Sequence, residues 1–311
     1  MGKQNQYFPQ SVSYPGETLE EKLQEIGMGP KEFAIRTGKP EKTITAVLNG
    51  TSSITSDMAI QFENVLNIPA HFWLNNQLSY DEYNARIKRQ SEIAGAIVWA
   101  NRFPFGQMAK YGWVKTSRIA EEKVEILFKF FGFASQTAWV NYYFGKKLLL
   151  NFRISLKHTN EPYAASAWLR QGEILAGKMR VNGFDEKKFR TNLKSIKDLM
   201  TNQPDDFLLK LQNLCSHAGV KVVFTPCLPK APIYGSTRWI NDTPLIQLSD
   251  RFKRNDHFWF TFFHEAGHIL LHGKKFISIE NIAFDDIDTC KEKEADDFAE
   301  SWTSISIRIL R

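Results

Sequence analysis

The stretch from Phe258 to Leu271 constrains this chain most, because it must be buried and yet carries three strongly polar groups. Phe258-Trp259-Phe260-Thr261-Phe262-Phe263 precedes His264-Glu265-Ala266-Gly267-His268, and Ile269-Leu270-Leu271 follows it; such flanks predict a buried helix. On a helix, positions i and i+4 share a face, so both imidazoles can ligate one metal ion. Glu265 projects beside that ion, placed to take a proton from a water that zinc would acidify to a pKa of about 7. Gly267 costs about 1 kcal/mol against Ala in a helix interior, which predicts a packing or site reason for it. The plain alternative is a pair of hydrogen-bonded core histidines, and the context must choose.

A chain of 311 residues has room for two or three domains, and 43% apolar with 24% charged residues describes a globular protein. No run approaches the roughly 18 apolar residues of a membrane span, and the N-terminus lacks a secretory h-region, so no membrane partner is expected. Cys215, Cys227 and Cys290 are too scattered for a disulfide framework or a thiolate metal site, which points to a reducing cytoplasm. The net charge of +6 is unevenly spread. Residues 1–84 carry six Lys/Arg against ten Asp/Glu, residues 85–200 carry 21 against nine, and residues 201–311 carry 13 against 15. The basic surface is therefore central, not N-terminal.

The N-terminal segment predicts short helices. Leu19, Leu23 and Ile26 give a first apolar face, ended by Gly27 and Gly29. Pro30 opens a second helix through Arg36, Thr37-Gly38-Lys39 makes a tight turn, and Pro40 starts a third with Ile44, Val47 and Leu48 inward. A fourth runs from about Thr55 to Leu66, and Pro69 opens a fifth. Leu48-Asn49-Gly50, Ile54-Thr55-Ser56-Asp57-Met58-Ala59 and His71-Phe72-Trp73-Leu74-Asn75-Asn76-Gln77 resemble the XRE-type helix-turn-helix of HigA-like antitoxins and repressors over residues 14–84. The resemblance implies a double-stranded DNA operator as partner, a homodimer, and a recognition helix from Pro40 to Asn49. Lys39, Lys42, Thr43 and Thr45 are then the candidate DNA contacts, with Lys31 and Arg36 as candidate phosphate contacts. The acidic balance of residues 1–84 opposes this, since phosphate neutralisation supplies much of DNA affinity; two copies and the locally positive stretch 31–42 counter it.

The middle segment alternates basic and aromatic residues through Lys110-Tyr111-Gly112-Trp113-Val114-Lys115 and Lys129-Phe130-Phe131-Gly132-Phe133, then Lys146-Lys147. Helical core spacing accounts for these aromatics, and the segment reads as a coupling scaffold. Beyond it, Asp206 to His217 predicts a helix and Val220 to Phe224 a strand; Ile233–Ile240 and Pro244–Leu248 predict a hairpin around Asn241-Asp242-Thr243. A small sheet beside a metal-bearing helix is a zincin arrangement, where a substrate chain can add to an edge strand.

A zinc site needs a third protein ligand. The helix predicted over residues 291–302 has an apolar stripe of Ala295, Phe298, Ala299 and Trp302; Glu292 and Glu294 flank it about equally, so periodicity leaves both open. His272 extends the histidine face by a turn and reads as a helix C-terminal cap before Gly273, and Asp297 reads as a solvated carboxylate. The hairpin, Phe262-Phe263-His264-Glu265-Ala266-Gly267-His268-Ile269-Leu270-Leu271-His272, and Glu292-Lys293-Glu294-Ala295-Asp296-Asp297-Phe298-Ala299 resemble the ImmA/IrrE metallopeptidases over residues 205–300. The resemblance implies His264, His268 and Glu294 as zinc ligands and Glu265 as general base. The Ser/Ile-rich tail from Ser301 departs from that family and reads as a truncated end.

The expected fold is multidomain and mainly α: an all-α helix-turn-helix domain (1–84), a basic helical region (85–200) and an α+β zincin-like domain with a small sheet (201–311). The expected function is that of a cytoplasmic DNA-binding regulator whose zinc endopeptidase domain cuts a repressor or toxin–antitoxin partner. The alternative is a DNA-binding antitoxin or repressor whose peptidase fold is a non-catalytic sensor or scaffold.

Overall fold

The computed structural model describes residues 11–144, 162–229, 233–250, 255–275, 278–279 and 289–304. The Lys146-Lys147 run and the tail beyond residue 304 lie outside them. Among the described residues no helix is long and apolar enough to cross a membrane.

The chain divides into two units, Met1–Ala94 and Gly95–Arg311. The first is built from α1 (Pro15–Glu25), α2 (Pro30–Thr37), α3 (Glu41–Leu48), α4 (Ser56–Leu66) and α5 (Ala70–Gly95). Proline at the start of α1 and of α2 fixes φ where the missing N–H costs nothing. Thr55 caps α4 by accepting from the Met58 amide at 3.3 Å. Leu19, Leu23, Phe33, Ile44, Val47, Met58, Phe62 and Trp73 form the core, with Phe62 held between Phe33 (ring centroids 4.9 Å) and the edge-on Trp73 (5.8 Å). Two expectations shift. Pro40 precedes α3 as its cap instead of opening it. Ile26 is 43% exposed, because α1 ends at Glu25 and the next residue leaves the helical face.

α5 runs on for 26 residues, so the first unit closes near residue 94 instead of 84. No break falls near residue 200 either, since one core joins the middle and C-terminal segments. The second unit opens with α6 (Ile97–Ala100), α7 (Phe105–Lys110), α8 (Ala120–Phe131) and α9 (Gln136–Phe144). Their aromatics pack on one another and on the helix that follows: Trp99 stacks on Phe128 at 5.2 Å, and Trp139 on Tyr163 of that next helix at 5.1 Å. There follow α10 (Pro162–Gly177), α11 (Glu186–Asn202), α12 (Phe207–His217), β1 (Lys221–Thr225), β2 (Gly235–Ile240), β3 (Thr243–Ser249), α13 (Asn255–Gly267), β4 (Ser278–Ile279) and α14 (Thr289–Thr303).

The sheet order is β1-β3-β2-β4, with β1 and β3 parallel and the other pairs antiparallel. Ile240 pairs with Thr243, so Asn241-Asp242 forms a two-residue hairpin loop, with Asn241 at φ 55°. Strand alternation sends successive side chains to opposite faces. One face meets α10, where the buried Gln247 donates to the Trp168 carbonyl and to Thr225 Oγ1 at 2.7 and 2.8 Å. The other face meets α13, where Thr237 Oγ1 donates to the Glu265 carbonyl at 3.0 Å. α11 and α12 seal the core around Phe258, Trp259, Phe262 and Phe263 of α13. That burial fixes which way the polar face of α13 turns.

Candidate metal centre and DNA-facing helices

His264, Glu265 and His268 are all buried, at 3%, 0% and 1% exposure. Their Nε2 atoms bring the two imidazoles together at 2.9 Å. Glu292, from the first turn of α14, places Oε2 3.3 Å from His264 Nε2 and 3.6 Å from His268 Nε2. A tetrahedral ion with donors at ~2.1 Å spaces those donors by roughly 3.4 Å, and the three observed edges bracket that value. Two imidazoles and a carboxylate are also the donor set of catalytic zinc sites that keep one position open. The residues present fit a zinc ion.

The group that could hold an ion thus takes Glu292 as its third member, and Glu294 is not beside the two histidines. Glu294 Oε2 instead lies 3.0 Å from His272 Nε2, with its side chain 56% exposed. The side of the apolar stripe that faces α13 is decided by packing. Gly267 lies against Ala295 and Phe298, and Phe263 stacks on Trp302 at 5.5 Å, so α14 turns its Glu292 edge inward. Asp296, one helical turn after Glu292, lies on the same side. Its Oδ1 is 2.8 Å from His264 Nδ1. A carboxylate there accepts the Nδ1 hydrogen and leaves the Nε2 lone pair toward the position an ion would take. The sequence contained that signal in the i, i+4 spacing of Glu292 and Asp296, which mirrors His264 and His268.

His272 is not a solvated helix cap. After Gly267 the helix widens into a π-helical turn over His268–His272. The wider turn sets the two Nδ1 atoms of His268 and His272 2.9 Å apart, with the His272 side chain 2% exposed. Burial lowers the pKa of His268, which favours the neutral, ligating form. Burial alone would raise the Glu292 carboxyl. Hydrogen bonds from His264 and His268, together with their charge, outweigh it and hold Glu292 at about 2. Two imidazoles facing an ionised carboxylate form the group that could take a divalent ion.

Two glycines make room for the site. A Cβ on Gly235, at the start of β2, would sit 2.7 Å from Glu265 Oε1, so a side chain there would push the carboxyl aside. A Cβ on Gly267 would lie 3.1 Å from Phe298 Cδ1 and 3.4 Å from Ala295 Cα. α13 and α14 approach closely because residue 267 has no side chain. Gly267→Val is accordingly expected to destabilise the protein by about 1–3 kcal/mol through overpacking. It is also expected to weaken zinc binding, as Glu292 is carried away from the histidines. Thermal melting of the metal-free protein and zinc competition with a chromophoric chelator check the two effects. Unaltered zinc affinity in the Gly267→Val protein would contradict the geometry.

In the first unit, α3 presents Lys42 and Thr45 to solvent, with Thr43 half-buried beside them. Lys31 is exposed at the start of α2. Arg36 bonds Glu32 at 2.6 Å, one turn back on α2. Lys39 pairs with Asp57 in the first turn of α4. The last two cations thus meet local carboxylates, while Lys42 and Thr45 are exposed on α3 together with Glu41.

Comparison with known proteins agrees with this division. The IrrE N-terminal-like domain family (Peptidase_M78) matches residues 215–301, a span that includes His264, Glu265, His268 and Glu292. An uncharacterized HTH-type transcriptional regulator of Escherichia coli K12, YddM, is 32% identical over 63 residues, covering 20% of this chain and 67% of the relative. An addiction module antidote protein of the HigA family from Coxiella burnetii is similar at 34% identity. The match covers 27% of this chain and 91% of that one, with a TM-score of 0.26. The Pseudomonas aeruginosa antitoxin HigA, solved with the higBA promoter, is 27% identical over 27% of this chain and 91% of its own, with a TM-score of 0.26.

Proposed function

The chain belongs to the XRE-type helix-turn-helix regulators joined to an IrrE N-terminal-like peptidase domain, and from that premise we propose that it binds operator DNA and hydrolyses a peptide bond of a partner protein. The observation that carries the second half is the convergence of His264 Nε2, His268 Nε2 and Glu292 Oε2 beside the buried Glu265. His264, His268 and Glu292 would hold zinc, which supplies Lewis acidity toward a carbonyl and toward water.

The remaining work belongs to side chains of this chain. Asp296 aims the His264 ring through its contact with Nδ1, and burial favours the neutral form of His268. Glu265 accepts a proton at a carboxylate oxygen as water attacks the scissile carbonyl carbon. It then returns that proton to the leaving nitrogen as the C–N bond breaks. Such proton transfer is worth typically 10²–10⁴-fold in rate. Phe258, Phe262 and Phe263 belong to the buried core around α13, and Glu265 is itself fully buried. The substrate class that suits a chain with a DNA-reading unit is a repressor or a toxin–antitoxin partner. Metal analysis combined with cleavage of candidate repressor proteins tests the reading. Zinc without cleavage favours a non-catalytic sensor or scaffold.

DNA binding is carried by α3, which offers Lys42 and Thr45 outward, and by kinship with a helix-turn-helix regulator. Operator duplexes selected from a random pool by the wild-type chain provide the probe. Lys42→Ala with Thr45→Ala is expected to weaken binding about tenfold or more, and loss of the Lys42 charge should reduce the salt slope by about one. Unchanged affinity and slope in the double variant would remove α3 as the reading helix.

A further inference from the structure

His272 and Glu294 form a second line of contacts behind the proposed metal centre, one that the hydrolytic chemistry has not used. His268 Nδ1 lies 2.9 Å from His272 Nδ1, and His272 Nε2 lies 3.0 Å from Glu294 Oε2. The polarity of this chain follows from its outer end. A carboxylate can only accept, so the His272 hydrogen sits on Nε2 and points at Glu294. Neutral His272 then has its lone pair on Nδ1, and His268 must donate from its own Nδ1. The single remaining lone pair of His268 is on Nε2, the atom that faces His264 Nε2 and Glu292 Oε2. A neutral imidazole with the opposite tautomer would turn an N–H toward the metal position and could not ligate.

Asp296 does the same for His264 in one step, through its 2.8 Å contact with His264 Nδ1. The two ligating imidazoles are thus fixed by different means, one by a carboxylate and the other by an imidazole backed by a carboxylate. The π-helical turn is what makes the second arrangement reachable, since it sets the Nδ1 atoms of His268 and His272 against each other. Glu292 and Glu294 leave α14 two residues apart and divide the work: the first faces the metal position, the second closes the outer chain.

The geometry points to His272 and Glu294 as positioning residues that hold His268 in its metal-ligating tautomer; the inference rests on the metal-site reading above. The full-length chain, stripped of metal, is titrated with Zn²⁺ alone against a chelator. His272→Phe keeps the buried bulk but has no acceptor, and Glu294→Ala removes an exposed carboxylate whose loss leaves the core untouched. Both are expected to lose about tenfold or more in zinc affinity, within the range of outer-shell contacts. Glu294→Gln, whose amide oxygen still accepts, is expected to restore most of the wild-type affinity, and His272→Asn part of it. Long-range ¹H–¹⁵N spectra of the zinc-loaded wild type should show the hydrogens on His268 Nδ1 and His272 Nε2.

Metal-free melting temperatures separate lost affinity from lost folding, and if His272→Phe does not fold, Glu294→Ala carries the test. Wild-type zinc affinity in both His272→Phe and Glu294→Ala overturns the positioning role and leaves the metal centre standing. The opposite tautomer at His272 overturns it as well. A wild-type chain that takes up no zinc overturns the metal centre and this inference together.

Discussion

Glu265→Gln is expected to lower hydrolysis of the partner protein by roughly 10²–10⁴-fold while leaving zinc content unchanged. The substitution is nearly isosteric, and Glu265 donates no atom to the group formed by His264, His268 and Glu292. What it removes is the ability to hold a proton between attack and departure of the amine. The same change takes a potential charge out of a fully buried position, so the stability of the metal-free protein should not fall. Cleavage assays, metal analysis and thermal melting of the two proteins side by side give all three readings. Equal cleavage by wild type and variant would mean that another group, or no group of this site, performs the reaction.

Glu292→Ala is the second large effect. It deletes the donor that α14 contributes to the proposed metal group, leaving two imidazoles on one helix. Zinc affinity is expected to fall by more than the roughly 10–100-fold typical of an outer-shell contact, and hydrolysis with it. Glu294→Ala should cost less, because its carboxylate meets His272 and not the two ligating histidines. Zinc competition on both variants ranks the two glutamates directly. A larger loss at Glu294 than at Glu292 would reverse the assignment made from the geometry. The Glu292 side chain is 30% exposed and belongs to no apolar core, so neither variant should fail to fold.

The two histidines were legible because i, i+4 spacing on a helix leaves no freedom about which face they share. The hairpin was legible because Asn241-Asp242 separates two apolar runs. The third member of the proposed metal group was not, since Glu292 and Glu294 lie symmetrically about the stripe of Ala295, Phe298 and Ala299. Only the docking of that stripe on Gly267 breaks the symmetry. Asp296 escaped for the same reason, as its value lies in a contact across helices. His272 escaped because periodicity assumes 3.6 residues per turn, and the helix widens just where His268 ends the motif. Both chain divisions were displaced by packing: α5 continues past residue 84, and Phe189, Leu193 and Ile196 of α11 share a core with Phe262 and Phe263 of α13. At the N-terminus, the order of short helices was readable, whereas the ion pairs of Arg36 with Glu32 and Lys39 with Asp57 depend on side-chain reach.

α14 supplies Glu292, Asp296 and Glu294, whereas α13 and the turn after it supply imidazoles and Glu265. The carboxylates that meet these histidines therefore arrive on one helix, packed on α13 at Gly267 and through the stacking of Trp302 on Phe263. An ion spanning the two helices contributes its binding free energy to their docking, and a docked α14 contributes in return to retention of the ion. Ion binding at the proposed centre and the docking of α14 on α13 would then be thermodynamically linked.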